Sequence, residues 1–250
     1  MVREYKNPVH LPDPAGIYAA LLFEPHSLIA GTTGSGKSTV LHSVLYAGHL
    51  LSPAQNKFMY IDLKGGVELT PWAKLPHSLG IALDPTEAAR MLDKAMAIMD
   101  ERYKFLRHMG LSEYDGYRLY VVIDEIADLM ATGGKAIEDR IARLVRMGRA
   151  AGVHVIACTQ NPSRGKGGGL PAAVVQNMTA RLALRCMSAI ESRQILTTGG
   201  AEKLPRHGKG LLLLDGEIMG VDIPLQPRAE IDAVRRYWRT HKGKLRLFKR

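Results

Sequence analysis

Apolar and polar positions along this chain fall into blocks that switch between strand and helix periodicity. Short unbroken apolar runs at Leu28-Ile29-Ala30, at Phe58 to Ile61 before Asp62, at Leu119 to Ile123 and at Val153 to Gln160 predict buried strands. Within Thr39 to Leu51, by contrast, Val40, Leu41, Val44, Leu45 and Leu51 recur at helical spacing. Asp84-Pro85-Thr86-Glu87 combines an N-cap acid, a proline at the first helical position and a glutamate at the third. It opens an amphipathic helix to His108 whose core face is Met91, Leu92, Ala95, Ile98 and Met99. A loop over Leu63 to His77 and a short strand near Leu79 to Ala82 precede it, and a loop from Gly110 to Gly116 follows. The turn Thr132-Gly133-Gly134 leads into a helix from about Lys135 to Met147. Strands near Thr179 to Cys186 and Gly210 to Leu214 flank a short helix capped at Ser188 to Glu191, and Asp215-Gly216 opens a hairpin through Met219 to Ile223. Met1 to Glu24, broken by Pro8, Pro12 and Pro14, becomes regular only over Ile17 to Phe23 and is expected to pack on the sheet edge. This alternation of strand and helix is that of βαβ units: an α/β fold, mostly parallel in its central sheet, with helices on its flanks.

Composition narrows the class. With 250 residues and 46% hydrophobic content the chain buries one substantial core, and one large domain fits better than two. No apolar stretch reaches the ~20 residues that cross a bilayer, and Met1 to His10 lacks a signal-peptide core. A membrane-spanning or secreted reading is therefore set aside for a cytoplasmic one, with any membrane link supplied by a partner. Cys158 and Cys186 lie in apparent strands without ligand-like neighbours and read as reduced core thiols. The formal charge of +10 attracts polyanions, nucleic acid first among them. Arg235, Arg236, Arg239, Lys242, Lys244, Arg246, Lys249 and Arg250 crowd the end of the chain, where a solvated basic tail is the alternative.

The chemistry enters at Gly31-Thr32-Thr33-Gly34-Ser35-Gly36-Lys37-Ser38, between the first strand and its helix. Glycines at 31, 34 and 36 let successive backbone N–H groups turn inward on phosphates at a helix N-terminus. Lys37 then reaches the β- and γ-phosphates of ATP, Ser38 offers a hydroxyl to Mg²⁺, and Thr39 completes the binding stretch. Metal and attacking water also need carboxylates at a neighbouring strand end, and Asp124-Glu125 provides them. Asp124 holds Mg²⁺, and Glu125 orients or deprotonates the water. The alternative is that the two acids only cap the following helix. Gln160, at the end of another strand, is a candidate γ-phosphate sensor or an ordinary polar strand end.

Taken together these segments resemble the FtsK/SpoIIIE-type DNA translocases over about Ser27 to Leu225. Ala30 to Ser38 is similar to that family's phosphate loop, and Val122 to Met130 to its acidic strand end. Arg149-Ala150-Ala151-Gly152-Val153-His154 and Ala157 to Ser163, then Glu191 to Leu196 and Gly199 to Leu204, follow in the family's order. The resemblance implies a RecA-like P-loop core over residues 27–227, with 1–26 a lead-in and 228–250 a C-terminal helix and basic tail. It further implies a homo-oligomeric ring, hexameric in the family, that drives double-stranded DNA through a central pore and is served by a membrane-bound or DNA-loading partner. Arg149 matches the arginine that completes a neighbour's site, with Arg143 and Arg146 as runners-up, and Arg164, Lys166, Lys203 and Arg206 are candidate DNA contacts. Asn161 stands where the family usually has arginine, and the loop after it is rewritten as Ser163 to Gly169. The rival reading is a coupling ATPase of a conjugation or secretion system with protein or nucleoprotein cargo.

Overall fold

The computed structural model describes residues 16–162 and 170–241. Among them an eight-stranded sheet runs in the order β3-β2-β4-β5-β1-β6-β7-β8. The strands are β1 (His26–Ala30), β2 (Asn56–Ile61), β3 (Ser78–Ala82), β4 (Arg118–Ile123), β5 (Val153–Thr159), β6 (Ala180–Ala183), β7 (Lys209–Leu214) and β8 (Glu217–Asp222). Every pairing from β3 across to β6 is parallel, while β7 and β8 add on antiparallel. The last two form the expected hairpin: Asp215 and Gly216 carry φ of 51° and 84°, the left-handed pair that a two-residue turn between twisted strands requires.

The unbroken apolar runs are explained by burial on both faces. Along β4, Leu119, Val121 and Ile123 enter one core and Tyr120 and Val122 the other. The first core lies under α4 (Pro85–Met109) and α5 (Ile126–Met147), with α6 (Ala172–Val175) and α7 (Ala189–Leu196). The second lies under α1 (Ile17–Phe23), α2 (Lys37–Leu50), α3 (Thr70–Ala73) and α8 (Arg228–Thr240). The expected caps are made: Asp84 Oδ1 accepts from Glu87 N at 2.8 Å, and Ser188 Oγ from Glu191 N at 3.2 Å. Both cysteines are buried free thiols.

Three expectations need correction. The lead-in helix α1 does not sit on the sheet edge: Ile17, Tyr18, Leu21 and Leu22 are buried against α2, β1 and β6, because its apolar residues nearly encircle it. The expected turn at Thr132 to Gly134 stands, by contrast: Gly134, at φ 64° and ψ −161°, separates a helix that begins at Ile126 from the expected one that ends at Met147, the two together being α5. The Leu63 to His77 loop contains α3 and is tied down by Asp62, whose buried carboxylate accepts from the backbone N–H groups of Lys64, Glu68 and Leu69, each at 3.1 Å. Finally, Cys186 is buried but lies beyond the end of β6. The loop carrying Arg164 and Lys166, and the basic residues from Lys242 onward, fall outside the described residues. Among the described residues no helix is long and apolar enough to cross a membrane.

Candidate active site

Among the loops that the parallel strands deliver to one edge of the sheet are those after β1, β2, β4 and β5. Because β1 lies beside β5, β5 beside β4 and β4 beside β2, these loops are contiguous in space although far apart in sequence. The phosphate loop leaves β1 and enters α2 at Lys37. Gly36, at φ 101° with open space where a side chain would begin, and Gly34, at φ 77°, turn the backbone as the motif requires. Gly31 has no room for more: a Cβ there would lie 2.5 Å from Ser35 Oγ and 2.8 Å from Leu184 Cβ. Thr32 is tied to Arg185 O through its N–H at 3.0 Å and its hydroxyl at 3.2 Å. The Ser35 hydroxyl is buried in the loop without a protein partner, a donor left for a ligand oxygen.

Lys37 is 6% exposed and reaches Asp124, donating to its carbonyl at 3.2 Å and lying 3.5 Å from Oδ1. Burial opposes its charge, but Cys158, Asp124 and Glu125 around it outweigh that and hold its pKa above the ordinary lysine value. The site therefore keeps a cation ready for phosphate oxygens. Ser38, at the start of α2, and Asp124, at the end of β4, provide hard oxygen donors. Among the described residues no three His, Cys, Asp or Glu side chains converge as a metal cage. That sparse donor set suits Mg²⁺, which keeps several waters and shares phosphate oxygens.

Glu125 does not cap α5 with its side chain. Its carboxylate instead accepts from the backbone N–H of Gln160, 3.1 Å from Oε1 and 3.0 Å from Oε2. It also lies 3.6 Å from the Lys64 ammonium. Burial raises its pKa above the usual carboxylate value, against the lowering effects of Thr159, Lys37, Lys64 and the Gln160 N–H. A carboxylate of raised basicity beside a phosphate loop can accept a proton from water. Gln160 spans the two halves of the site: its backbone holds Glu125 while its side-chain Oε1 accepts from Thr33 Oγ1 at 2.7 Å.

Other residues lie elsewhere. Arg149 precedes β5, and the seven residues of that strand put about 20 Å between it and the phosphate edge. It is exposed and lines a cavity of roughly 600 Å³ with Glu113, Asp115, Arg118 and His154. The loop bearing it is held by buried Arg102, which donates to Ala151 O at 2.8 Å and Gly152 O at 2.9 Å. Of the runners-up, Arg143 is paired with Asp100 at 2.7 Å, whereas Arg146 is exposed. Lys203 is exposed in the short 3₁₀ turn Ala201–Lys203. Arg206 turns back over the phosphate loop, its Nη2 2.8 Å from where a Gly34 Cβ would lie, which puts this cation beside the nucleotide site.

Sequence reasoning missed Lys64, Glu68 and His42. Glu68 Oε1 accepts from Ser38 Oγ at 3.2 Å, and its Oε2 lies 2.9 Å from His42 Nε2. The available signal was Asp62, an acid ending a strand, followed by Gly65 and Gly66, both at positive φ.

Comparison with known proteins bears on the family and the fold. The profile of the FtsK/SpoIIIE family matches residues 15–121 and 117–164. A DNA translocase FtsK of Listeria monocytogenes is 39% identical over 210 residues, 76% of this chain and 27% of its own. One from Halalkalibacterium halodurans is 38% identical over 218 residues, 79% of this chain and 27% of its own. This chain thus spans about a quarter of the length of such relatives. Among solved structures, the cytoplasmic domain of the type VII secretion ATPase EccC of Thermomonospora curvata superposes with a TM-score of 0.71 at 26% identity, over 87% of this chain and 28% of that one. The pCW3 conjugation coupling protein TcpA, solved with ATPγS, gives 0.70 at 24% identity over 85% of this chain and 64% of its own, a likeness of fold.

Proposed function

Since this chain belongs to the FtsK/SpoIIIE family, we propose that it is the ATPase motor of a ring that moves double-stranded DNA. ATP with Mg²⁺ binds at Gly31 to Thr39. Lys37 neutralises the β- and γ-phosphates, and Ser38 and Asp124 hold the cation, which draws charge off the phosphates when bound. Glu125 takes the proton of the attacking water. Gln160, joined to both Thr33 and Glu125, registers whether the γ-phosphate is present.

The observation that carries the reading is the position of Arg149. Lys37, Ser38, Asp124 and Glu125 gather at the phosphate loop, whereas the family-matching arginine, a cation suited to the charge that develops on the γ-phosphate, lies about 20 Å away at the opposite end of β5. An arginine so placed serves a neighbouring subunit, so hydrolysis needs a closed ring, hexameric as in the resemblance. Lys203, Arg164 and Lys166, with the net charge of +10, are the groups we assign to duplex phosphates, which gives grip without base reading. The working compartment is the cytoplasm, with loading left to a partner.

The test measures phosphate release with and without duplex DNA across a salt series, together with particle imaging. Stimulation by DNA that fades steeply with salt, in ring-shaped particles, is the expected outcome. Turnover indifferent to DNA would transfer the reading to a coupling ATPase of a conjugation or secretion system with protein or nucleoprotein cargo, EccC being a secretion ATPase.

A further inference from the structure

Beside the phosphate loop a chain of hydrogen bonds runs Trp72, His42, Glu68, Ser38, and the chemistry of its members fixes every proton in it. An indole N–H can only donate, and Trp72 Nε1 donates to His42 Nδ1 at 3.0 Å. His42 Nδ1 is therefore the acceptor, and its proton sits on Nε2, 2.9 Å from Glu68 Oε2. The remaining oxygen, Glu68 Oε1, accepts from the Ser38 hydroxyl at 3.2 Å. Two of its members are anchored from outside it. Trp72 is fully buried with the Arg235 guanidinium 4.3 Å over its ring, and the Glu68 N–H donates to Asp62.

A serine hydroxyl has one proton and two lone pairs. With the proton directed at Glu68, the lone pairs are left for a cation; with the proton turned the other way, its positive end would face the metal. Asp124 Oδ1 lies 3.5 Å from the Lys37 ammonium, while the acceptor of the Ser38 hydroxyl is Glu68. Building on the nucleotide reading above, we propose that Glu68 and His42 are a positioning pair that orients the Ser38 hydroxyl for Mg²⁺. Neither touches the reacting atoms. Their effect is on how much the metal adds to nucleotide affinity, as outer-shell partners of metal ligands do.

The experiment measures the affinity of fluorescently labelled ADP in Mg²⁺ and in EDTA for the wild type, Glu68→Gln, His42→Leu and His42→Gln, with thermal midpoints checking the fold. In Glu68→Gln the new amide keeps an acceptor for His42 but presents N–H₂ to Ser38, which turns the hydroxyl round. The Mg²⁺-dependent gain in affinity is expected to fall about tenfold or more while affinity in EDTA stays within about twofold. His42→Leu releases Glu68 and moves the same way, and His42→Gln, which retains an N–H donor, restores most of the loss. An unchanged ratio of the two affinities in Glu68→Gln, or an equal loss in both media, overturns the proposal. A wild type that binds nucleotide with no preference for Mg²⁺ would instead overturn the nucleotide reading beneath it.

Discussion

Glu125 illustrates how much a single side chain can carry once its surroundings are fixed. Its carboxylate is held by the Gln160 N–H and drawn by Lys64, so its position depends on loops after two other strands. Glu125→Gln keeps the size and an acceptor but removes the base. Nucleotide affinity should persist while turnover falls about 10²- to 10⁴-fold, checked by binding titration beside steady-state phosphate release. Arg149 makes the complementary case. If it serves a neighbour, Arg149→Ala doped into wild-type rings should depress activity more than in proportion to its share, and a strictly proportional decline would remove it from the trans role. Lys37, Ser38, Asp124 and Glu125 were legible in the sequence because their motif spacing is local. Glu68 and His42 were not: 26 residues separate them, and only the turn pinned by Asp62 brings them together at Ser38.

At the scale of elements, α8 is the least expected contributor. The sequence reads it as an appended helix, yet Trp238 is buried and its indole N–H donates to His49 O at 2.7 Å, while Arg235 stacks on Trp72. The C-terminal helix thus closes the second core over α2, the helix that begins at the phosphate loop. Trp238→Ala should cost about 3–5 kcal/mol, read as a lower denaturant midpoint with little change in slope. The opposite lesson comes from α4, whose N-cap, proline and apolar stripe were all readable, because a long helix with a capped start depends on local chemistry. The loop from 63 to 77 was opaque for the converse reason. Its order comes from one buried carboxylate accepting three backbone N–H groups, a pattern with no periodicity.

For the molecule as a whole, buried histidines make stability depend on pH. Burial lowers His26 to about 3, and His77 and His154 to about 4, and it depresses His49 well below the usual value. In the unfolded chain these groups titrate near 6.5, so between about 6.5 and 4 the unfolded state binds more protons than the native one. Stability contributed by keeping them neutral is present above 6.5 and is lost as pH falls towards the folded values. Each fully titrating histidine adds a slope of about 1.4 kcal/mol per pH unit in that window. Thermal unfolding from pH 8 down to 5 should show the midpoint falling mainly below about pH 6.5, and a flat profile would mean these rings are solvated in the native state.

The main strands and longer helices, the phosphate loop, the acidic strand end and the family were readable from the chain alone, because each rests on short-range periodicity or on residues adjacent in the chain. Only the tertiary structure decided that β2 lies beside β4, so that Lys64 meets Glu125 and Glu68 meets Ser38. It also decided that Arg206 bends over Gly34, and that Arg149 faces away from its own nucleotide edge. Strand order in a parallel sheet is set by crossovers that the hydrophobic pattern does not encode, and it is strand order that selects which loops meet.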